Sequence, residues 1–329
     1  MSELDSEPTG IAVKNLQPGD TVLQFFELRS VDVRKTRAGE EYLDLTVADA
    51  TGRVRAKLWP QGVRKWGRDF NPGDFVKIEG RIETYRDVNQ LIVDKIRTAD
   101  ASEIPDLGAL IPATRHDPDG LFKQLIDLAR SLALPELSEL VTEVLLRNEE
   151  RLKLYPAARM VHHAYKGGLL EHTVTVVRKV DAIATLDDAV NRDLAIAGAM
   201  LHDIGKLREL EPSRHGRTIE GRLIGHLILG VEMVREVALE KGLGDRKWLI
   251  DLEHILLSHH GETAYGSPLR PMTREAMVVH FIDNLDSRLK IVDEALETEV
   301  SEGFSAYNKW LQGRAFAGSL STEEEDPHA

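Results

Sequence analysis

Apolar residues change their spacing once along this chain, and that change divides it into two folding problems. From Val13 to about Arg97 they recur every second residue. Tyr42-Leu43-Asp44-Leu45-Thr46-Val47, Val54-Arg55-Ala56-Lys57-Leu58-Trp59 and Phe75-Val76-Lys77-Ile78-Glu79-Gly80-Arg81-Ile82 alternate apolar with polar, and segments 21–28 and 91–96 complete the set. A period of two turns one face of an extended chain inward and the other toward water, the mark of a strand. Ala38-Gly39-Glu40, Asp49-Ala50-Thr51-Gly52 and Asn71-Pro72-Gly73-Asp74 supply the turns. Five short strands within residues 11–98 predict a small all-β barrel of the OB type.

Residues 99–120 contain Pro105, Pro112 and Pro118 among several aspartates, show little periodicity, and read as a linker. Beyond it apolar residues recur at three and four positions, so residues 121–316 predict an all-α domain. Helices are expected over 121–134, 137–152, 169–185, 191–207, 218–240, 247–259, 273–296 and 304–312. The polar segment 1–10 and the acidic segment 317–329 read as loose tails. The expected fold is therefore multidomain, a small barrel followed by a helical domain. No apolar run is long enough to span a membrane, and MSELDSEPTG lacks a basic-then-apolar leader, so a cytoplasmic location is expected.

The chain has no cysteine, so any metal site must be built from imidazole and carboxylate. Several such groups fall inside apolar helical segments: His202-Asp203 in Ala199-Met200-Leu201-His202-Asp203-Ile204-Gly205-Lys206, His226 in Leu223-Ile224-Gly225-His226-Leu227, and Asp283 in His280-Phe281-Ile282-Asp283-Asn284-Leu285. His172 closes the string HHAYKGGLLEH, and His259-His260 ends another helical segment. Taken singly, each histidine reads as an ordinary core or surface residue. Burying the whole set without a partner would cost roughly 2–7 kcal/mol for each neutral polar group and more for each charge. A divalent cation removes that cost. The ligand types suit manganese, iron, magnesium, nickel or zinc. Lys206, one turn past His202, is either a helix-terminal cation or a phosphate contact, and Arg288 is similarly placed beyond Asp283. His163, Tyr165 and Lys166 precede a Gly-Gly turn and are candidates for substrate contact or for capping the pocket.

The order His172, His202-Asp203, Asp283 resembles the HD phosphohydrolase superfamily, helical metal-dependent enzymes acting on phosphate esters. The longer strings HHAYKGGLLEHT, MLHDIGK, LSHHGE and FIDNLDSRL, joined to an N-terminal OB barrel, are more specific. From about Val13 to about Arg314 the chain resembles the bacterial YhaM-like 3′→5′ exoribonucleases. The resemblance implies a manganese-stimulated enzyme removing nucleotides from single-stranded 3′ ends. It also implies one or two ions. His172, His202, Asp203 and Asp283 would hold the first, and Asp203 would bridge to a second on His226 and His259 or His260. Asp203 would help orient the attacking water, and Lys206 would neutralise phosphate charge. Lys166 departs from the family string, at a position that is not a proposed ligand.

The barrel fits the same expectation. Residues 11–98 carry 16 Lys/Arg against 13 Asp/Glu, a charge of +3, so the rest of this −13 chain carries −16. Phe25, Phe26, Tyr42, Trp59, Trp66 and Tyr85 supply aromatics, about half of them needed for the barrel core. Arg53, Arg55 and Lys57 share one exposed face of a strand and are the expected single-strand track. The expected partner is single-stranded RNA or DNA, with no membrane. The alternatives are a small-nucleotide phosphohydrolase, a non-catalytic single-strand-binding protein, and, with less support, a cyclic-dinucleotide phosphodiesterase of the GYP type. A homo-oligomer stays open, since helices within 119–155 and the segment 304–316 can pack within or between chains.

Overall fold

A computed structural model describes residues 10–85, 88–110, 113–158, 165–211, 216–297 and 300–318. Nearly all of the two expected tails, together with His163, lies outside the described residues.

The alternating segments form five strands: β1 (Thr21–Lys35), β2 (Glu41–Asp49), β3 (Gly52–Leu58), β4 (Phe75–Tyr85) and β5 (Val88–Thr98). They close into a barrel in the order β1-β2-β3-β5-β4, antiparallel except where β3 meets β5. Phe26, Leu28, Leu43, Leu45, Val47, Ala56, Leu58, Ile78 and Leu91 fill the interior, as the period of two requires. Short α1 (Pro60–Trp66) packs Val63 and Trp66 against that core. In β1 the register with β2 slips between Leu28 and Ser30, which makes Arg29 the extra residue of a bulge. A bulge bends the strand and re-aims a side chain.

The segment after the barrel docks back onto it, with Ile104 and Leu110 buried against Phe25 and Phe75. Helices follow as α2 (Pro118–Arg130), α3 (Pro135–Arg147), α4 (Glu149–Leu154), α5 (Gly168–Leu186), α6 (Arg192–Leu201), α7 (Lys206–Glu209), α8 (Ile219–Leu223), α9 (His226–Glu240), α10 (Lys247–Ser258) and α11 (Arg274–Leu296). They share one core, in which α6 packs against α5, α10 and α11.

Three expected helices are broken. Residues 137–152 divide into α3 and α4, 191–207 into α6 and α7, and 218–240 into α8 and α9. The second and third breaks leave His202-Asp203 and His226 at helix ends. The helix expected over 304–312 is absent. A hairpin of β6 (Val300–Ser301) and β7 (Phe304–Ser305), followed by turns and bridges, takes its place. Glu302 and Gln312 adopt φ of 53°, a left-handed backbone that interrupts any helix there.

Candidate metal centre

Four helix termini and one helix interior meet at a buried polar cluster. His202 and Asp203 follow the last residue of α6, His226 opens α9, and His259-His260 follow α10. His172 lies in the first turns of α5 and Asp283 inside α11. Helix ends suit such work, because the chain turns away there and leaves a side chain projecting past the last packed turn.

His172 Nε2 lies 3.2 Å from Asp283 Oδ1, 3.3 Å from His202 Nε2 and 3.7 Å from Asp203 Oδ2. On the other side, His226 Nε2 lies 3.2 Å from His260 Nε2 and 3.6 Å from Asp203 Oδ1, and His259 Nε2 is 3.7 Å from that same oxygen. Asp203 therefore turns Oδ2 to one set of donors and Oδ1 to the other. Both His259 and His260 belong to the second set.

Four rings are held by their other nitrogen. His202 Nδ1 donates to Ala199 O at 2.8 Å and His259 Nδ1 to Leu256 O at 2.9 Å. His172 Nδ1 donates to Asp286 Oδ2 at 2.7 Å and His226 Nδ1 to Glu209 Oε2 at 2.8 Å. With the proton on Nδ1, each Nε2 faces the cluster, the arrangement that outer carboxylates and carbonyls impose on metal-binding imidazoles. Lys179 Nζ donates to Asp286 Oδ1 at 2.7 Å, which fixes that carboxylate in turn.

Electrostatics follow from burial and these contacts. Burial depresses the pKa of His226, His259 and His260, the last to about 4, so they are neutral imidazoles at neutral pH. Burial also acts to lower His172, but hydrogen bonds to Asp283 and Asp286 outweigh it and raise its pKa to about 9. Burial acts to raise Asp203, yet Lys206 and then His202 hold the carboxyl well below its ordinary range. Asp283 is likewise pushed down, by its bond to His172 against the effect of burial.

Whether a cation fits can be tested on unsatisfied atoms. Asp203 Oδ1 and His259 Nε2 are buried and have no hydrogen-bond partner. Buried polar atoms left so are uncommon, and each costs about 1–3 kcal/mol. They face one another across the second set, where a divalent cation would satisfy both. The nitrogen and oxygen donors, without thiolate, suit such an ion.

The other expected site residues fall in three places. Lys206 opens α7 rather than closing a helix, and its Nζ donates to Asp203 Oδ2 at 2.6 Å. Gly205, expected as a helix-ending glycine, has φ of −64° and caps the start of α7. Tyr165 is half-buried, and burial with its bond to Glu171 raises the phenol pKa, so it stays a neutral donor. Lys166 is exposed and pairs by backbone with Ala113 and Thr114. Arg288 is exposed on α11, where Nε donates to Asn284 Oδ1 at 2.8 Å, away from the cluster.

On the barrel, Arg53 and Arg55 are exposed along β3 and Lys57 is half-buried on the same face. Lys57 Nζ lies 5.6 Å from the centre of the Trp59 ring and 5.3 Å from that of Tyr85, and the Tyr42 ring is 5.1 Å from Trp59. Phe26 is core, and Phe25 is covered by the segment after the barrel. Sequence reading missed Asp286 and Glu209. Asp286 stood in the quoted string, three residues past Asp283 and hence one helical turn away. Glu209 gave no such signal.

Comparison with known proteins agrees with this division. A family model for the HD domain matches residues 169–288, one described as an OB-fold nucleic acid binding domain matches 28–99, and one for a putative helicase matches 113–208. The 3'-5' exoribonuclease YhaM of Halalkalibacterium halodurans is 31% identical over 91% of this chain and 93% of its own length. That of Bacillus subtilis (strain 168) is 31% identical over 91% and 95%, and that of Bacillus pumilus 34% over 79% and 82%.

Proposed function

This chain belongs to the YhaM family of 3′→5′ exoribonucleases, and we propose that it is itself a metal-dependent exonuclease trimming single-stranded RNA from the 3′ end to nucleoside monophosphates. The observation that carries this reading is Asp203, whose two oxygens face two separate donor sets.

His172, His202, Asp203 and Asp283 would hold one divalent ion, and Asp203 with His226, His259 and His260 a second. Bound there, such ions supply an electrophile for phosphate oxygens and lower the pKa of water at the centre. The protein's own work is positional. Asp286 and Glu209 fix the His172 and His226 rings. Lys206 pairs with Asp203 in the free enzyme and would transfer that contact to a phosphate oxygen of the substrate. Tyr165, a neutral phenol close to Lys290, lies at the α5 side of the site and would donate to the terminal nucleotide. Manganese is the proposed ion, single-stranded DNA a secondary substrate, and the cytoplasm the compartment. Among the described residues no helix is long and apolar enough to cross a membrane.

The barrel would grip the strand upstream, stacking bases on Tyr42, Trp59 and Tyr85, each worth roughly 1–3 kcal/mol. Arg55 and Lys57 would meet the backbone. A homo-oligomer is supported by Met277, Phe281, Leu285 and Leu289, an exposed stripe on the outer face of α11. Light scattering would detect the dimer mass that this stripe predicts.

The deciding experiment pairs Asp203→Ala with a 5′-labelled single-stranded RNA and added manganese. The wild type should give a ladder shortening from the 3′ end, and the variant no ladder but near-normal RNA binding. Turnover retained by the variant would sink the mechanism.

A further inference from the structure

Four charged side chains meet where the barrel touches α11, apart from the metal centre. Glu27 and Arg29 come from β1, Arg53 from β3, and Glu294 from α11. Arg29 Nη2 lies 3.0 Å from Glu27 Oε2, and Arg53 Nη2 lies 3.8 Å from Glu294 Oε2. The Arg29 side chain is only 8% exposed, and its Nε and Nη1 are buried without a hydrogen-bond partner. A guanidinium carries five donors in a planar fork, and leaving two of them dry is costly. The β-bulge at this residue is what turns Arg29 toward the junction. Arg53 is over a third exposed, so the junction opens to solvent on that side.

Glu294 is in turn poorly satisfied. Burial raises its pKa, Arg53, Lys290 and Arg29 offset only part of this, and its ion pair with Arg53 is longer than a hydrogen bond. An oxyanion that reaches Arg29 Nε or Nη1 as well as Arg53 at hydrogen-bond distance would serve the two arginines better. Glu294 also lies on the same face of α11 as Asp283, since eleven residues make close to three turns at about 3.6 residues each. Lys290 lies between them on that face, its Nζ 5.4 Å from the Tyr165 ring centre.

We propose that Arg29 and Arg53 form a phosphate-binding subsite for the RNA backbone, closed in the free enzyme by Glu294, which occupies it as an internal anion. The inference rests on the exoribonuclease reading and adds to it a contact between barrel and metal centre. An incoming phosphodiester displaces the Glu294 carboxylate, and Arg53 passes from protein to RNA. A strand that does not reach the junction leaves it closed.

The test uses the metal-loaded enzyme and a fluorescent single-stranded RNA with phosphorothioate 3′ linkages that block hydrolysis. Anisotropy is measured across a salt series for wild type, Glu294→Gln, Glu294→Ala, Arg53→Gln and the Glu294→Gln/Arg53→Gln double variant, with melting curves to confirm folding. Removing the internal anion should tighten binding about three- to tenfold and steepen the log–log salt slope by about 0.7, because in the wild type the displaced Glu294 carboxylate takes up a cation that offsets the one released from the phosphate at this subsite. Arg53→Gln should weaken binding, and the double variant should match it. If both Glu294 variants bind RNA no more tightly, with an unchanged slope, Glu294 is a structural contact and the subsite is refuted. If the wild type binds no RNA at all, the exoribonuclease reading fails first.

Discussion

Asp286 and Glu209 bind no metal in this scheme, yet each decides where an imidazole points. Asp286→Asn should weaken metal binding about 10–100-fold by calorimetry, because the His172 ring loses its anionic acceptor. Glu209→Gln should weaken the second ion selectively, leaving one tight equivalent. A third prediction concerns Glu27, whose pKa burial raises to about 7 against the pull of Arg29. A raised carboxyl favours folding while protonated. Its contribution is fully present below the ordinary glutamate value near 4.5 and is lost as pH climbs through 7. Glu27→Gln should therefore melt above wild type at pH 8, with the difference shrinking toward pH 4.5. A constant difference would refute it. The ligands were legible in the sequence because a polar group inside an apolar helical run has to be explained. Arg29 and Glu294 were not legible, since each looks like a surface charge until the strand and helix that carry them are brought together.

At the level of elements, the centre depends on where helices stop. Sequence periodicity ran the α6–α7 and α8–α9 segments together, because apolar spacing continues through the breaks. The breaks themselves come from contacts distant in sequence. Gly205 lets α7 approach α9, and a Cβ built there would lie 2.0 Å from His226 O and 2.5 Å from Gly230 N. Gly205→Ala should cost roughly 1–3 kcal/mol in chemical denaturation by overpacking, and should displace His226. Gly261 follows the His259-His260 pair with φ of +78°, and a Cβ would meet the His280 ring at 2.1 Å. His280 Nδ1 in turn donates to His259 O at 2.7 Å. Gly261→Ala should thus disturb the second donor set more than the first, with one metal equivalent lost and the other retained. The barrel strands were easier to read, because alternation runs through most of each strand, though the bulge at Arg29 interrupts it and β1 runs seven residues past its expected end at 28.

Across the whole molecule, the barrel and the helices bury their apolar residues in separate large cores among the described residues. Deleting residues 1–98 should cripple cleavage of oligonucleotides while leaving metal binding unchanged. Hydrolysis of a nucleotide monomer left intact by this deletion would instead favour a small-nucleotide phosphohydrolase.

One helix joins the two units. Asp283 and Glu294 lie eleven residues apart on α11, or about 16 Å at about 1.5 Å per residue. That interval is fixed by a rigid rod, whatever the sequence being degraded. As digestion proceeds, the remaining strand must eventually become too short to lie against both ends of the rod. Degradation should then slow abruptly and leave a remnant of constant size. A helix would thereby set the length of the final product, and leave the last few nucleotides to some other enzyme.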